Sequence, residues 1–108
     1  MKREIRFTDK FEKELRTFPP DIIEDLIALV RRIINGERLS SSVFKTFKIS
    51  KGIRIQEYKI KDHTGNWRAI SCMVEENKIT FIYAFHKKSN SLLIKHKQII
   101  TSRIKEIL

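Results

Sequence analysis

The sequence predicts a single α+β domain with the order strand, two helices, three-stranded antiparallel meander and final helix. Three observations lead to this prediction. Apolar residues recur at helical spacing before Gly36 and again after about residue 93. Between these parts, strand-like segments are separated by short polar breaks. The chain has 108 residues, which falls within the usual size of one domain, so a single domain over residues 1–108 is expected.

The N-terminal part predicts a strand followed by a helical hairpin. Residues 3–8 have the pattern of a short strand, and Asp9 with Glu12 three residues later resembles a helix capping pair. A first helix of about ten residues then carries an apolar stripe and ends at two prolines. The stripe and the prolines are Phe11, Leu15, Phe18, Pro19 and Pro20. A second helix is predicted from Asp21 to Asn35, because its apolar face is broad and a glycine follows at the C-cap position. The two helices are expected to lie across a sheet.

The middle of the chain predicts three consecutive strands. They are residues 54–61, 67–75 and 78–86. The breaks between them are short and polar, which is typical of antiparallel hairpins. The last strand is apolar at nearly every residue, so it is expected in the middle of the sheet, buried on both faces. For residues 37–52 the pattern is compatible both with a short strand and with an ordered loop. A final helix is predicted from about Leu93.

The net charge predicts a polyanionic partner. The chain carries 23 Lys and Arg against 13 Asp and Glu, a formal charge of +10. Such a charge attracts nucleic acid, membrane headgroups or an acidic protein, and charge alone does not choose among them. No apolar run approaches the roughly 18 residues of a membrane span, and the N-terminus lacks the apolar stretch of a signal peptide. A cytoplasmic protein without membrane contact is therefore expected. The single cysteine, Cys72, is expected to be a packing residue.

A basic face is predicted on the strand at residues 54–61. Side chains alternate along a strand, so Glu57, Lys59 and Lys61 share one face. Two ammonium groups at this spacing tend to lower each other's pKa, which favours proton exchange closer to neutral pH. Arg68 lies just past the turn and is expected near the Lys61 end, where it completes a cluster of three cations. From spacing alone, an ordinary solvated strand face is an equally good interpretation.

The end of the last predicted strand adds His86, Lys87 and Lys88, a group suited to gripping phosphate. For His86, a role in proton transfer and an ordinary hydrogen bond at a strand end are both open. The three histidines lack the spacing of metal ligands, and no acidic cluster accompanies them, so neither a metal nor another cofactor is expected. The motifs of serine hydrolases and phosphate-binding loops are absent from the sequence.

These cations suit the cleavage of RNA without a metal. The ribose 2′-hydroxyl then attacks the adjacent phosphate, so the protein must take up a proton, stabilise the charge at phosphorus and protonate the leaving oxygen. A lysine with a lowered pKa serves as acid or base. Fixed cations around the phosphate stabilise the developing charge.

Residues 58–89 resemble the signature region of the RelE-like toxin family, and in particular its HigB-like, phage-derived branch. The resemblance rests on the segment YKIK, on Trp67 and Arg68 after a short turn, and on an apolar strand that ends in AFHKKS. It implies the RelE-like fold, a small antiparallel sheet with an N-terminal helical hairpin and a C-terminal helix. It also implies a toxin of a type II toxin–antitoxin system that binds the ribosomal A site and cuts mRNA there. The implied partners are a cognate antitoxin, the ribosome and mRNA.

Several site residues follow from this resemblance. Lys59 and Lys61 match paired strand lysines associated with proton transfer and phosphate contact, and Arg68 matches an arginine that stabilises the transition state. Lys87 falls near a further catalytic arginine of the family. The expected catalytic residues are Lys59, Lys61, Arg68, His86 and Lys87, and the expected RNA contacts are Arg54, His63 and Lys88.

One departure from the family concerns its catalytic tyrosine. Near the start of the last segment, where such toxins carry this tyrosine, the chain has Leu92 and Leu93. Tyr58 and Tyr83 are both expected in the core. Base function would therefore fall to a lysine or to His86, which is compatible with the HigB-like branch.

Two other functions remain open. A ParE-like protein has the same fold but poisons DNA gyrase without cutting RNA. The clustered cations argue against that function, whereas the missing tyrosine gives it some weight. The third possibility is a degenerate member of the family that only binds RNA.

Overall fold

A computed structural model of the chain describes residues 4–50, 53–73, 77–87 and 94–108. The described part contains one five-stranded sheet and three helices. In chain order the elements are β1 (Glu4–Phe7), α1 (Asp9–Leu15), α2 (Pro20–Ile34), β2 (Phe44–Ser50), β3 (Ile53–Asp62), β4 (Gly65–Met73), β5 (Lys78–Lys87) and α3 (Ile94–Ile107). The strand order in the sheet is β1-β5-β4-β3-β2. The predicted α+β class is confirmed.

The sheet contains the predicted meander and adds one strand at each edge. β3, β4 and β5 are antiparallel neighbours in chain order, and β5 lies inside the sheet between β1 and β4. Part of the segment 37–52, which the sequence left open, forms the edge strand β2. β1 pairs in parallel with β5, so the sheet is mixed and not purely antiparallel as predicted. A parallel pair needs a crossover connection, and here the crossover contains α1, α2 and the other strands.

The first helix begins at a threonine cap. The hydroxyl of Thr8 accepts a hydrogen bond from the backbone N–H of Phe11 at 3.2 Å, which satisfies one of the free donors of the first turn. The predicted capping pair, Asp9 with Glu12, is therefore wrong by one residue, because Thr8 has the extended backbone that a cap requires. α1 is also shorter than predicted, and its C-cap is Arg16.

The second helix has the predicted bounds to within one residue at each end. Pro20 lies in its first turn, where the missing proline N–H is tolerated. Gly36 follows the C-cap with φ of 81°, in the left-handed region that favours glycine. The buried stripe of α2 is Ile22, Leu26, Leu29 and Ile33.

The two faces of the sheet are covered by different helices. We call the face that α1 and α2 cover the hairpin face; its buried strand residues include Tyr58, Ile60, Trp67, Ala69 and Ala84. We call the opposite face the α3 face; its buried strand residues include Ile55, Ile70, Cys72, Tyr83 and Phe85. Because side chains alternate along each strand, neighbouring residues point to opposite faces. This alternation decides which of the predicted site residues meet.

A clamp between α1 and α3 covers the edge of β5 where β1 has ended, beyond Phe81. Glu14 accepts a hydrogen bond from the N–H of Ala84 at 3.2 Å, and Arg103 donates to the carbonyl of Ile82 at 2.9 Å. The two side chains also pair with each other through contacts of 2.6 and 2.9 Å. The clamp therefore satisfies backbone groups that an open strand edge would expose.

Replacing Arg103 with methionine is expected to lower the free energy of unfolding by about 1–3 kcal/mol, because the partly buried Glu14 loses its charged partner. Urea unfolding measures this change. The matched control is Lys10→Met, which removes an ion pair between the same two helices, with Glu106 at 2.8 Å. Both partners of that pair are about half exposed, so the control is expected to lose less than about 1 kcal/mol. Equal losses would contradict the role assigned to the clamp.

Candidate functional site

Cations from three neighbouring strands meet on the α3 face. Lys59 of β3 is paired with Arg68 of β4 in the register. The next row on this face, toward the ends of the strands, contains Lys61, Asn66 and Lys87. Neighbouring strands lie about 4.8 Å apart, so these side chains share one patch. We call Lys59, Lys61, Arg68 and Lys87 the basic cluster.

The position of Arg68 differs from the prediction. It was expected beside the end at Lys61, whereas the register places it opposite Lys59. The cause is the turn, because pairing continues as far as Asp62 opposite Gly65 and leaves a connection of only two residues. Asp62 stabilises this tight turn by accepting hydrogen bonds from the backbone and side chain of Thr64, at 2.9 and 2.6 Å.

Arg68 is held by a buried ion pair with Glu57. The guanidinium Nε donates to the Glu57 carboxylate at 2.9 Å, and the two side chains are only 7% and 8% exposed. A carboxylate so placed fixes the direction of the guanidinium. Sequence alternation placed Glu57 on this face but assigned it no role. Glu57 and Arg68 are diagonal neighbours on β3 and β4, and this relation can be found only when the register of the two strands is known.

Lys87 is the most enclosed lysine of the cluster, with 4% exposure. Burial, followed by the repulsion of Arg68, holds the pKa of its ammonium below the ordinary lysine value, while Glu57 acts in the opposite direction. Lys59 is less enclosed, and its ammonium donates to the backbone carbonyl of Ser41 at 3.1 Å. The cluster thus combines one lysine suited to proton exchange with several fixed cations.

His96 lies beside this cluster, in the first turn of α3. Its ring stacks on Phe85 with centroids 4.0 Å apart, and its Nδ1 lies 2.7 Å from the Tyr83 hydroxyl. Burial, with smaller effects of Lys95 and Lys87, lowers the pKa of this imidazole, which favours its neutral form. No sequence pattern indicated this position, because only the packing of α3 on β5 brings His96 there.

The other predicted site residues that the structure describes lie away from the cluster or at its border. His86 is on the hairpin face, where its ring stacks on Trp67. Arg54 is exposed on the same face, toward the other end of β3. His63 is exposed in the turn that follows the cluster. Lys88 lies outside the described residues, as does Leu93, where the last helix was predicted to begin.

Both tyrosines that the sequence assigned to the core are buried. Tyr58 is 1% exposed and its hydroxyl lies 2.9 Å from the Ser71 hydroxyl on the hairpin face. Burial and the charge of Glu14 raise the pKa of Tyr83, while Arg103 opposes them. Cys72 is also buried, which raises the pKa of its thiol to about 11. These three side chains are packing residues.

The described residues contain neither a metal-binding cluster nor a membrane-spanning helix. No group of three or more His, Cys, Asp or Glu in that part of the chain is arranged to hold a metal ion. None of the helices the structure describes is long and apolar enough to cross a membrane.

The fold is that of a known class of toxin. A solved structure of the E. coli toxin RelE, an arginine-to-alanine mutant in the free state, superposes with a TM-score of 0.61. The superposition covers 100% of both chains at 17% sequence identity, so it establishes the RelE-like fold.

Residues 13–105 match the model of a protein family described as phage-derived protein Gp49-like. The chain belongs to this family, which is of the RelE/HigB toxin type. The family relationship predicted from residues 58–89 is thereby confirmed. No match was found among curated protein sequences.

Proposed function

We propose that this protein is the toxin of a type II toxin–antitoxin system, and that it inhibits translation by cutting mRNA in the ribosomal A site without a metal. The observation that carries the proposal is the convergence of Lys59, Arg68 and Lys87 from three strands, with a lowered pKa at the most enclosed lysine. Membership of a family of the RelE/HigB type supports the same activity.

In the proposed reaction the ribose 2′-oxygen bonds to the adjacent phosphorus while the bond from phosphorus to the 5′-oxygen breaks. Neutral Lys87 accepts the proton of the 2′-hydroxyl. Arg68 and Lys59 stabilise the negative charge that develops on the phosphoryl oxygens. A protonated ammonium of the cluster supplies the proton for the leaving 5′-oxygen, and a 2′,3′-cyclic phosphate remains.

The other residues of the site serve this arrangement. Glu57 holds Arg68 through its Nε and is a positioning residue. Lys61 is exposed at the border of the cluster, where it is placed to contact a neighbouring phosphate, as is His63 in the adjoining turn. His96 packs against Phe85, two residues before Lys87 on β5.

The proposed partners follow from the family and from the charge. A cognate antitoxin neutralises the toxin, and the ribosome presents the mRNA, both in the cytoplasm. The formal charge of +10 favours each of these polyanionic or acidic partners.

The test is induction of the protein in cells, with mapping of mRNA 5′ ends. We expect cuts within codons that depend on translation, and we expect Lys59→Ala combined with Lys61→Ala to abolish them. The matched control is Lys13→Ala with Lys105→Ala, which removes the same charge from two exposed positions on α1 and α3. This control is expected to cut normally. Intact mRNA together with gyrase-linked DNA breaks would instead establish the ParE-like activity.

A further inference from the structure

An exposed histidine ring is built into the hairpin face at the end of the sheet that carries the basic cluster. The ring of His86 stacks on Trp67 with centroids 4.0 Å apart and an interplanar angle of 16°. Trp67 is buried and packs in turn against Phe18, at 4.8 Å between centroids. His86 is therefore the exposed end of a column of three rings.

Hydrogen bonds fix this column in place. His86 Nε2 lies 3.1 Å from the carbonyl oxygen of Thr64. The indole N–H of Trp67 donates to Asp62 at 3.1 Å and to the Thr64 hydroxyl at 3.2 Å. A Cβ at residue 65 would overlap with His86 Nε2, so the ring requires the glycine that stands there. The residues of the tight turn, Thr64 and Gly65, thus contact the Nε2 edge of the imidazole and fix its position.

The outer surface of the imidazole is available to a ligand. Trp67 is its one ring contact in the described part of the chain, and the side chain is exposed. A rigid, exposed π-surface of this kind binds flat rings, and nucleobases stack on aromatic side chains and histidine with little regard to sequence. An aliphatic side chain would cover Trp67 equally well but would offer no such surface.

The column lies directly behind the basic cluster. Trp67 precedes Arg68 on β4, and His86 precedes Lys87 on β5, so the two sites occupy opposite faces of the same strand ends. A strand of RNA held by Lys61 and Lys87 lies at this end of the sheet. On the proposed cleavage, the nucleotide next to that phosphate would reach the hairpin face by passing over the two-residue turn.

We propose that His86, supported by Trp67, is a stacking site for a nucleobase of the RNA, next to the phosphate held by the basic cluster. This proposal rests on the proposed cleavage of RNA. It changes the role of His86, which the sequence offered as an acid or base. In its place on the hairpin face, His86 binds the substrate and leaves proton transfer to the cluster.

The experiment compares His86→Phe, which keeps a planar ring, with His86→Leu, which covers Trp67 without one. Affinity is measured by fluorescence anisotropy for a labelled 2′-O-methyl hexanucleotide, which lacks the attacking hydroxyl. We expect the leucine variant to bind about 5- to 150-fold more weakly, and the phenylalanine variant to bind like the wild type. Trp67 is the chain's one tryptophan, so its fluorescence reports whether the RNA reaches this column. Urea unfolding of each variant verifies that the fold is intact.

A second series removes one base at a time from the same oligonucleotide. One abasic position is expected to weaken binding to the wild type and to leave binding to the leucine variant unchanged. On programmed ribosomes, the leucine variant is expected to raise KM while kcat changes by less than about threefold. Equal affinities of the leucine variant and the wild type would overturn the stacking site, as would a fall in kcat that phenylalanine does not restore. Absence of cleavage by the wild type would defeat the proposed function, whereas the oligonucleotide series would still decide the stacking site.

Discussion

Replacing Arg68 with methionine is expected to lower the free energy of unfolding by about 3–5 kcal/mol, because Glu57 would stay buried without its partner. The ion pair spans 2.9 Å, and neither side chain is more than 8% exposed. Breaking such a pair costs far more than the pair contributes, since the remaining carboxylate has lost its water as well as its counter-charge. Urea unfolding at neutral pH measures the loss. A loss below about 1 kcal/mol, typical of surface pairs, would show that Glu57 recovers its hydration.

The double variant Glu57→Leu with Arg68→Met separates stability from activity. Replacing both members of a buried ion pair by apolar side chains is often neutral or stabilising, so most of the lost stability should return. Cleavage should not return, because the cation beside the phosphate is still missing. We expect mRNA cleavage to stay about 10²-fold below the wild type. Cleavage at the wild-type rate in the double variant would mean that Arg68 serves only the fold.

The alternation of strand residues made much of this site predictable. It placed Lys59 and Lys61 on one face and Tyr58 on the other, and the structure has this arrangement. The position of Arg68 depends on the exact length of the turn, which the polar break DHTGN does not reveal. One residue more or less in the turn changes the cross-strand partner of every residue on β4.

The face of the sheet on which His86 lies could not be predicted from the sequence, for a different reason. β5 is apolar at nearly every position, so its pattern contains no alternation from which a face could be read. A register shift between Ile70 and Ser71 of β4 also changes the alignment of the two strands. His96 and Glu57 were missed because each acquires its role from a partner on another element, Tyr83 or Arg68.

The edge strand β2 is a part of the fold that the sequence pattern did not predict. Its residues have a mixed pattern in which lysines alternate irregularly with phenylalanines, and the pairing shifts between Lys48 and Ser50. An edge strand is supported on one side only, and charged residues there discourage pairing with other chains. Charged residues at such positions interrupt the regular alternation of apolar and polar residues by which strands are recognised in a sequence.

Replacing Lys87 with methionine is expected to reduce cleavage by about 10²- to 10⁴-fold, the usual contribution of a general acid or base. Urea unfolding of the variant separates a loss of stability from a loss of proton transfer. The informative comparison is Lys87→Arg, which keeps the positive charge but cannot release a proton near neutral pH. If Lys87 transfers a proton, arginine leaves the protein as inactive as methionine does. If it acts only through its charge, arginine restores cleavage.

The pH dependence of cleavage provides an independent measure of the same role. A proton acceptor must be neutral, so the rate should rise with pH and level off above the pKa of Lys87. Burial and Arg68 hold that pKa below the ordinary lysine value, so the rise should lie below the range of an exposed lysine. In Arg68→Met the repulsion disappears while Glu57 stays, and the profile should therefore move to higher pH. A profile that does not move would assign the proton transfer to a group whose pKa does not depend on Arg68, and His96, whose pKa is lowered by burial, Lys95 and Lys87, would then be the residue to replace.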